Sequence, residues 1–281
     1  MSIDLHTHSF ASDGTDSPAA LMRAARQAGL DIVALTDHDT TSGWAQAMTA
    51  LPDGLTLVPG AEISCALGGI SLHLLAYLFD PDDEPLRAEL DLAFDDRVPR
   101  AQEIVRLLAA AGHPISWQDV LDQTEPDATV GRPHIADALV RLGVVPDRSA
   151  AFAGLLHDNS PFYVRHYAVD PVLAVRLVRA AGGVPVFAHP GAATRGRTVG
   201  DDVIAALAEA GLAGLEVDHR DNPPETREHL RGLARELGLL VTGASDFHGA
   251  GKPNRLGENT TTRDVYDALL AQATGVGVVA A

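Results

Sequence analysis

Cysteine and lysine are nearly missing from this chain. Cys65 is the only cysteine among 281 residues, so no intramolecular disulfide can form. Lys252 is the only lysine, set against 20 arginines, a bias of the kind a GC-rich coding sequence produces. Aromatic residues make up 5% of the chain and hydrophobic residues 46%, which predicts a large core of mainly aliphatic side chains. No apolar run approaches the roughly 20 residues needed to span a bilayer. The first residues show neither a basic segment nor the apolar stretch of a secretory signal. The expectation is a cytoplasmic protein with no membrane partner. Positive charge is also scarce: 21 basic residues face 38 acidic ones, for a formal net charge of −17. Such a chain repels long polyphosphate backbones and is not expected to bind long nucleic acid non-specifically. A small anionic substrate, held by metal ions and a few arginines, is compatible with that charge.

The chain does have a regular alternation of short apolar runs with alanine-rich amphipathic stretches. Strands are predicted at 3–5, 31–35, 55–58, 70–78, 184–188, 212–217 and 239–243. Helices are predicted at 19–28, 44–51 and 171–181; the first has Ser17 as N-cap, Pro18 at N1 and Gly29 as its stop. Alternation of this kind implies parallel strands joined in βα units. Seven of them predict an α/β fold, a distorted (β/α)7 barrel. The pattern breaks at 97–167, where helical periods at 102–111 and 135–142 sit among turn-rich joins. This predicts a small inserted helical subdomain capping the active site, with 1–96 and 168–281 forming the barrel. The insertion holds seven arginines and eight acidic residues, a net of −1, so nearly all the negative charge lies outside it. A segment facing an anionic substrate should be the least acidic one.

Six histidines, two aspartates and one glutamate recur at or near the predicted strand ends: His6, His8, Asp13, His38, Glu62, His73, His189, Asp246 and His248. Loops from all strands of such a barrel converge at its C-terminal face, which turns scattered residues into one candidate site. Imidazole and carboxylate together suit Zn, Mn or Fe, and nine groups exceed what one ion can bind. His6 and His8 lie two apart on an extended segment, so both imidazoles project to the same side and can chelate one ion. Asp246 and His248 repeat that spacing. Glu62 is a candidate bridge, since each carboxylate oxygen can serve a different metal. His73 lies within a strand, where a half-buried core histidine is the competing reading. His189 precedes Pro190, which forces it extended at a strand end.

The segments D-L-H-T-H-S-F-A-S-D-G, A-L-T-D-H-D-T, G-A-E-I-S, H-L-L-A-Y, F-A-H-P and S-D-F-H-G together resemble the polymerase-and-histidinol-phosphatase (PHP) superfamily. The resemblance runs from the first strand to about Gly257. It is strongest to the nucleotide-phosphatase branch, through Gly131-Arg132-Pro133-His134-Ile135-Ala136. It implies two or three divalent metal ions, Mn, Fe or Zn. His6, His8, Glu62 and Asp246 would hold the first, Glu62, His73 and His189 the second, and Asp13, His38 and His248 the third.

The resemblance further implies a metal-dependent phosphoesterase acting on a nucleotide phosphomonoester, either a nucleoside 3′,5′-bisphosphate or a nucleoside monophosphate. A hydroxide bridging two ions would attack in line. The candidate catalytic residues are Glu62, Arg132, His134 and His219. The candidate substrate contacts are Arg132, His134, Arg195, Arg197 and Lys252, because guanidinium and ammonium groups pair with phosphate. For each of these cations the plainer alternative is a solvated loop charge, and for Arg132 and His134 a helix start that ties the insertion to the barrel. His113, His157, His166 and His229 are read as structural or solvated, and Cys65 as a buried thiol. Competing activities are a 5′-to-3′ exonuclease on short oligoribonucleotides, a histidinol phosphatase and a metal-dependent amidohydrolase.

Overall fold

A computed structural model describes residues 1–124, 130–157 and 159–281; the side chain of Arg195 is outside the described set. Seven strands follow chain order around the sheet: β1 (Ile3–Asp4), β2 (Ile32–Leu35), β3 (Thr56–Leu67), β4 (Ile70–Tyr77), β5 (Val184–Phe187), β6 (Gly214–Asp218) and β7 (Leu240–Gly243). A short β8 (Val279–Ala280) pairs with β3. The sheet curls into a nearly closed (β/α)7-type barrel. A single parallel bridge between Thr7 and Phe247, just past β1 and β7, draws the two edges together.

Period-2 alternation divides each strand between two apolar layers. In β2, Ile32 and Ala34 face the barrel interior, while Val33 and Leu35 pack outward under the helices. In β4, Leu75 and Tyr77 face in and Leu74 and Ala76 face out. That parity turns His73 inward. In β3, Val58 is interior while Ala61, Ile63 and Cys65 are exterior, so Glu62 also turns inward. The Tyr77 hydroxyl donates to the Leu5 carbonyl at 2.9 Å, tying the interior together.

One expectation is corrected. The strands are not uniformly parallel: β3 and β4 form an antiparallel hairpin, and β4 pairs antiparallel with β5. The third strand does not stop at 58 but runs on to Leu67, turns at Gly68-Gly69 and returns. Both glycines have positive φ (57° and 78°), as a two-residue hairpin turn with right-handed twist requires. Glu62 therefore lies in mid-strand instead of in a loop beyond a strand end.

The helices are α1 (Pro18–Gln27), α2 (Trp44–Thr49), α3 (Glu84–Ala110), α4 (Trp117–Leu121), α5 (Arg132–Arg141), α6 (Arg148–Ala153), α7 (Pro171–Ala180), α8 (Asp201–Ala210), α9 (Pro224–Leu237) and α10 (Arg263–Leu270). Ser17 caps α1 by accepting from the Ala20 N–H at 3.1 Å, with Pro18 in the first turn. The second half of α3 shares a separate apolar cluster with α4, α5 and α6, including Ile104, Leu108, Val120, Ile135 and Leu139. Because α3 begins at Glu84, it carries chain continuously from the barrel wall into that helical layer. No helix among the described residues is long and apolar enough to cross a membrane.

Candidate metal centre and active-site cleft

The nine expected ligands converge at one mouth of the barrel. Three groups form there, and within each the candidate ligand atoms all lie within 4.8 Å of one another. The first is His6, His8, Glu62 and Asp246, the second His8, Asp13, His38 and His248, and the third His38, Glu62 and His73. His189 reaches the same centre, with Nε2 3.1 Å from Glu62 Oε1.

The first group has the geometry of a cation site. His6 Nε2 and His8 Nε2 face each other at 3.0 Å. Both approach Glu62 Oε2, at 3.2 and 3.1 Å, and Asp246 Oδ1, at 3.4 Å each. Ligands about 2.1 Å from a tetrahedral ion stand roughly 3.4 Å apart. The hydrogen-bond partners also assign the tautomers. His6 Nδ1 donates to Glu216 Oε1 at 2.9 Å. Ser12 Oγ gives its proton to Asp37, so it accepts from His8 Nδ1 at 3.4 Å. Two imidazole Nε2 atoms then face one another beside two carboxylates, an arrangement that calls for positive charge between them, supplied by protons or by a bound cation. In the second group, Asp13 Oδ1 and His248 Nε2 lie 3.1 Å apart, buried and outside hydrogen-bond geometry. The donor set fits borderline divalent ions of the Zn, Mn or Fe type.

Local backbone strain sits at the same place. Asp39, His189 and Asp246 have φ of 54°, 32° and 53°, the left-handed region that non-glycine residues avoid. His189 is therefore not extended as its place before Pro190 predicts: its N–H is held by Glu216 and the turn by Asn222. Asp39 is held there by Ser64, whose N–H and hydroxyl donate to its carboxylate at 2.6 and 2.7 Å. Gly14 follows Asp13 because a Cβ there would stand 2.5 Å from the His8 carbonyl oxygen.

Burial opposes charge throughout the centre, but pairing overrides it at several groups. It would raise the Glu62 carboxyl, yet His38, His73 and His6 hold it well below the usual carboxylate range. Asp13 is likewise held low, by His248 and His38. Against the same burial, Glu216, Glu62 and Asp246 hold His6 well above the ordinary imidazole value, and Asp246 and Glu62 lift His8 to about 9. Burial, His8 and Lys252 push His248 down to about 4.

Above the centre opens a cleft of about 1020 Å³, between the barrel mouth and the helical layer. Eight basic residues line it among the described residues: Arg97, Arg100, Arg132, Arg148, Arg165, Arg197, Arg220 and Lys252. Only two acidic residues do, Asp13 and Asp221. Four of the cations are paired with acids outside the lining: Arg97 with Asp39, Arg148 with Asp137, Arg220 with Glu258 and Lys252 with Asp246. In a chain of net charge −17 the lining itself is predominantly basic.

The other expected site residues take different places. Lys252 Nζ lies 3.2 Å from Asp246 Oδ2. His219 is fully buried; its Nδ1 accepts from the Asp221 N–H at 3.1 Å, so the proton lies on Nε2, 3.5 Å from Asp246 Oδ2. Arg132 lines the cleft, donates to the Leu156 carbonyl at 3.3 Å and stacks 5.6 Å over the Phe152 ring. His134 is buried and caps α5, its Nδ1 accepting from the Gly131 N–H at 3.1 Å; burial pushes its pKa below the ordinary value. Arg197 lines the cleft and donates to the Gly69 carbonyl at 3.0 Å. Arg195 sits in the 3₁₀ turn Ala193–Arg195, and its side chain lies outside the described residues. Cys65 is a buried thiol, as expected.

Several residues went unnoticed in the sequence. His157 and His166, read as structural or solvated, line the cleft. Arg97, Arg100, Arg148 and Arg165 line it too, and their only signal was the weak acidity of 97–167. Glu216 is wholly buried against His6. Its signal was an acidic residue within an apolar strand, turned inward because Leu215 and Val217 pack outward.

Comparison with known proteins agrees with this centre. The PHP domain model matches residues 4–111. The chain is 32% identical over 254 residues to the 3′,5′-nucleoside bisphosphate phosphatase of Chromobacterium violaceum, covering 90% of this chain and 89% of that one. It is 32% identical over 271 residues to a 5′-3′ exoribonuclease of Haemophilus influenzae, covering 95% and 96%. In three dimensions it matches a crystal structure from Bifidobacterium adolescentis, of a protein assigned by inference to the metal-dependent phosphoesterases. The TM-score is 0.91 at 42% identity, over 97% of this chain and 96% of that one. Fold and site together define a metal-dependent hydrolase of phosphoesters. The chain belongs to the PHP family.

Proposed function

We propose that this protein removes a phosphate from a nucleotide monoester, with a nucleoside 3′,5′-bisphosphate or a nucleoside monophosphate as substrate. The observation that carries this reading is the basic lining of the cleft, where eight cations and two acids lie over the His/carboxylate centre. Phosphate is a ligand that both halves of such a site attract.

In this reading His6, His8, Glu62 and Asp246 hold one ion, Asp13, His38 and His248 another, and Glu62, His73 and His189 a third. Divalent Mn, Fe or Zn held there supplies Lewis acidity, activating water for attack and drawing charge from the phosphoryl oxygens. Glu62 offers one oxygen to each of two groups of histidines: Oε2 to His6, His8 and His38, and Oε1 to His73 and His189. Arg132 and Lys252 bind phosphate oxygens from the cleft side; His134, buried and outside the cleft lining, holds the start of α5 next to Arg132. His219 presents its Nε2–H beside Asp246, where it can donate to the leaving oxygen. Arg197 meets the outer part of the substrate.

The 3′,5′-nucleoside bisphosphate phosphatase name of the Chromobacterium relative supports the nucleotide reading. The exoribonuclease name of the Haemophilus relative, with the breadth of the cleft, supports a second one: trimming of short oligoribonucleotide ends. The test is phosphate release by Mn-loaded protein from adenosine 3′,5′-bisphosphate, with AMP and a 5′-phosphorylated trinucleotide alongside. Release mainly from the bisphosphate is the expected result. Conversion of the trinucleotide to mononucleotides in preference to both would establish the exonuclease. Turnover of none of the three, metal present, would overturn the nucleotide reading.

A further inference from the structure

Glu216 touches two different parts of the centre from one buried position on β6. Its Oε1 accepts from His6 Nδ1–H at 2.9 Å, and its Oε2 accepts from the backbone N–H of His189 at 2.9 Å. The side chain has no solvent exposure. Asn222 braces the same strand end: its Nδ2 donates to the Glu216 and Val217 carbonyls at 3.0 Å each, and its Oδ1 accepts from the Gly191 N–H at 3.0 Å. His189 is thus gripped on both sides, at its own N–H and at Gly191, in a backbone conformation with φ of 32°.

We propose that Glu216 is the positioning residue of the metal centre: one carboxylate sets the tautomer of His6 and the backbone of His189, so two ion subsites are aligned together. The proposal rests on the metal-ligand roles of His6 and His189 in the proposed function. The chemistry is specific to a carboxylate. Both neighbours are N–H donors, and only a group with two acceptor oxygens satisfies both. With His6 Nδ1 protonated, its Nε2 lone pair faces His8, Glu62 and Asp246. A metal-ligating imidazole is oriented in this way by the hydrogen bond its other nitrogen makes.

Glu216→Gln separates this role from mere packing, because the two side chains have nearly the same shape. The His189 N–H can only donate, so the glutamine oxygen must turn to it. The glutamine NH₂ then faces His6 Nδ1, which has to become an acceptor, and the imidazole proton moves to Nε2. The lone pair meant for the ion is lost.

Two readouts test this without any substrate, so an error in the substrate assignment would leave both unmoved. The first is long-range ¹H–¹⁵N NMR of the His6 ring, assigned by its loss in His6→Asn. Wild-type protein, either Zn-loaded or metal-free at a pH high enough to leave His6 neutral, should carry the single ring proton on Nδ1, and metal-free Glu216→Gln at that pH should carry it on Nε2. The second is Zn²⁺ affinity by chelator competition, which should weaken roughly 10–100-fold in Glu216→Gln, with cooperative unfolding retained. A wild-type His6 protonated on Nε2 would overturn the proposal, and that measurement stands even where the variant fails to fold. So would a folded Glu216→Gln that keeps the wild-type tautomer and affinity. Wild-type protein that binds no Zn²⁺ or Mn²⁺ would overturn the metal reading itself, while the His6 tautomer would still report on Glu216.

Discussion

Arg97 on α3 hydrogen-bonds through Nη2 to Asp39 Oδ2, joining the helical layer to the loop that carries His38. Asp39 has no exposed side chain, and Arg97 holds its carboxyl well below the usual range although burial opposes this. Removing one partner of a buried pair strands the other charge, at a cost of about 3–5 kcal/mol. Arg97→Ala should therefore unfold at lower denaturant by that amount. It should also lose activity, because Asp39 adjoins His38. A denaturation midpoint like that of wild type would show that water replaces the guanidinium.

Glu62 is the carboxylate approached by the most imidazoles, and Glu62→Gln removes its charge with little change of shape. Turnover should fall by more than the roughly 10–100-fold expected for loss of an outer partner. Bound metal per chain, measured by elemental analysis, should fall with it. Near-wild-type turnover would rule out a bridging role.

Arg132 offers the cleft a planar fork that matches two phosphate oxygens, which a lysine cannot reproduce. Arg132→Ala should raise KM for the phosphorylated substrate roughly 10–100-fold, the worth of a charge-assisted hydrogen bond, and Arg132→Lys should recover little of it. An unchanged KM in both variants would favour C–N bond hydrolysis, which has no phosphate to bind.

Asp4 gives the protein a pH-dependent cost. Burial raises its carboxyl from 3.8 to about 6, against backbone N–H donors from Ser245 and Gly257. The folded value lies above the unfolded one. Its contribution is therefore complete below pH 3.8 and is lost as pH rises through about 6. The shift corresponds to about 3 kcal/mol. Urea unfolding from pH 4 to pH 7 should show Asp4→Asn gaining on wild type by about that amount. A stability difference independent of pH would mean that Asp4 folds with an ordinary carboxyl.

The chain's own pattern carried the class of fold and the cluster of candidate ligands. His-x-His, Asp-x-His and the strand-end carboxylates are local features, and an extended backbone sends alternate residues to one side whatever surrounds it. The nine candidate ligands could therefore be picked out before any contact was known, and the structure brings their side chains together. Sequence alone did not reveal the β3–β4 hairpin, because strand direction depends on pairing across the sheet and apolar alternation looks the same either way. It did not reveal Glu216 as a partner of His6, because the two lie 210 residues apart and meet only when the barrel closes. Nor did it reveal the basic cleft, because arginines on α3, α5 and α6 share a surface only after those helices pack over the barrel mouth. Residue spacing set which groups were available for chemistry, and long-range packing decided which nitrogen, which oxygen and which charge face one another.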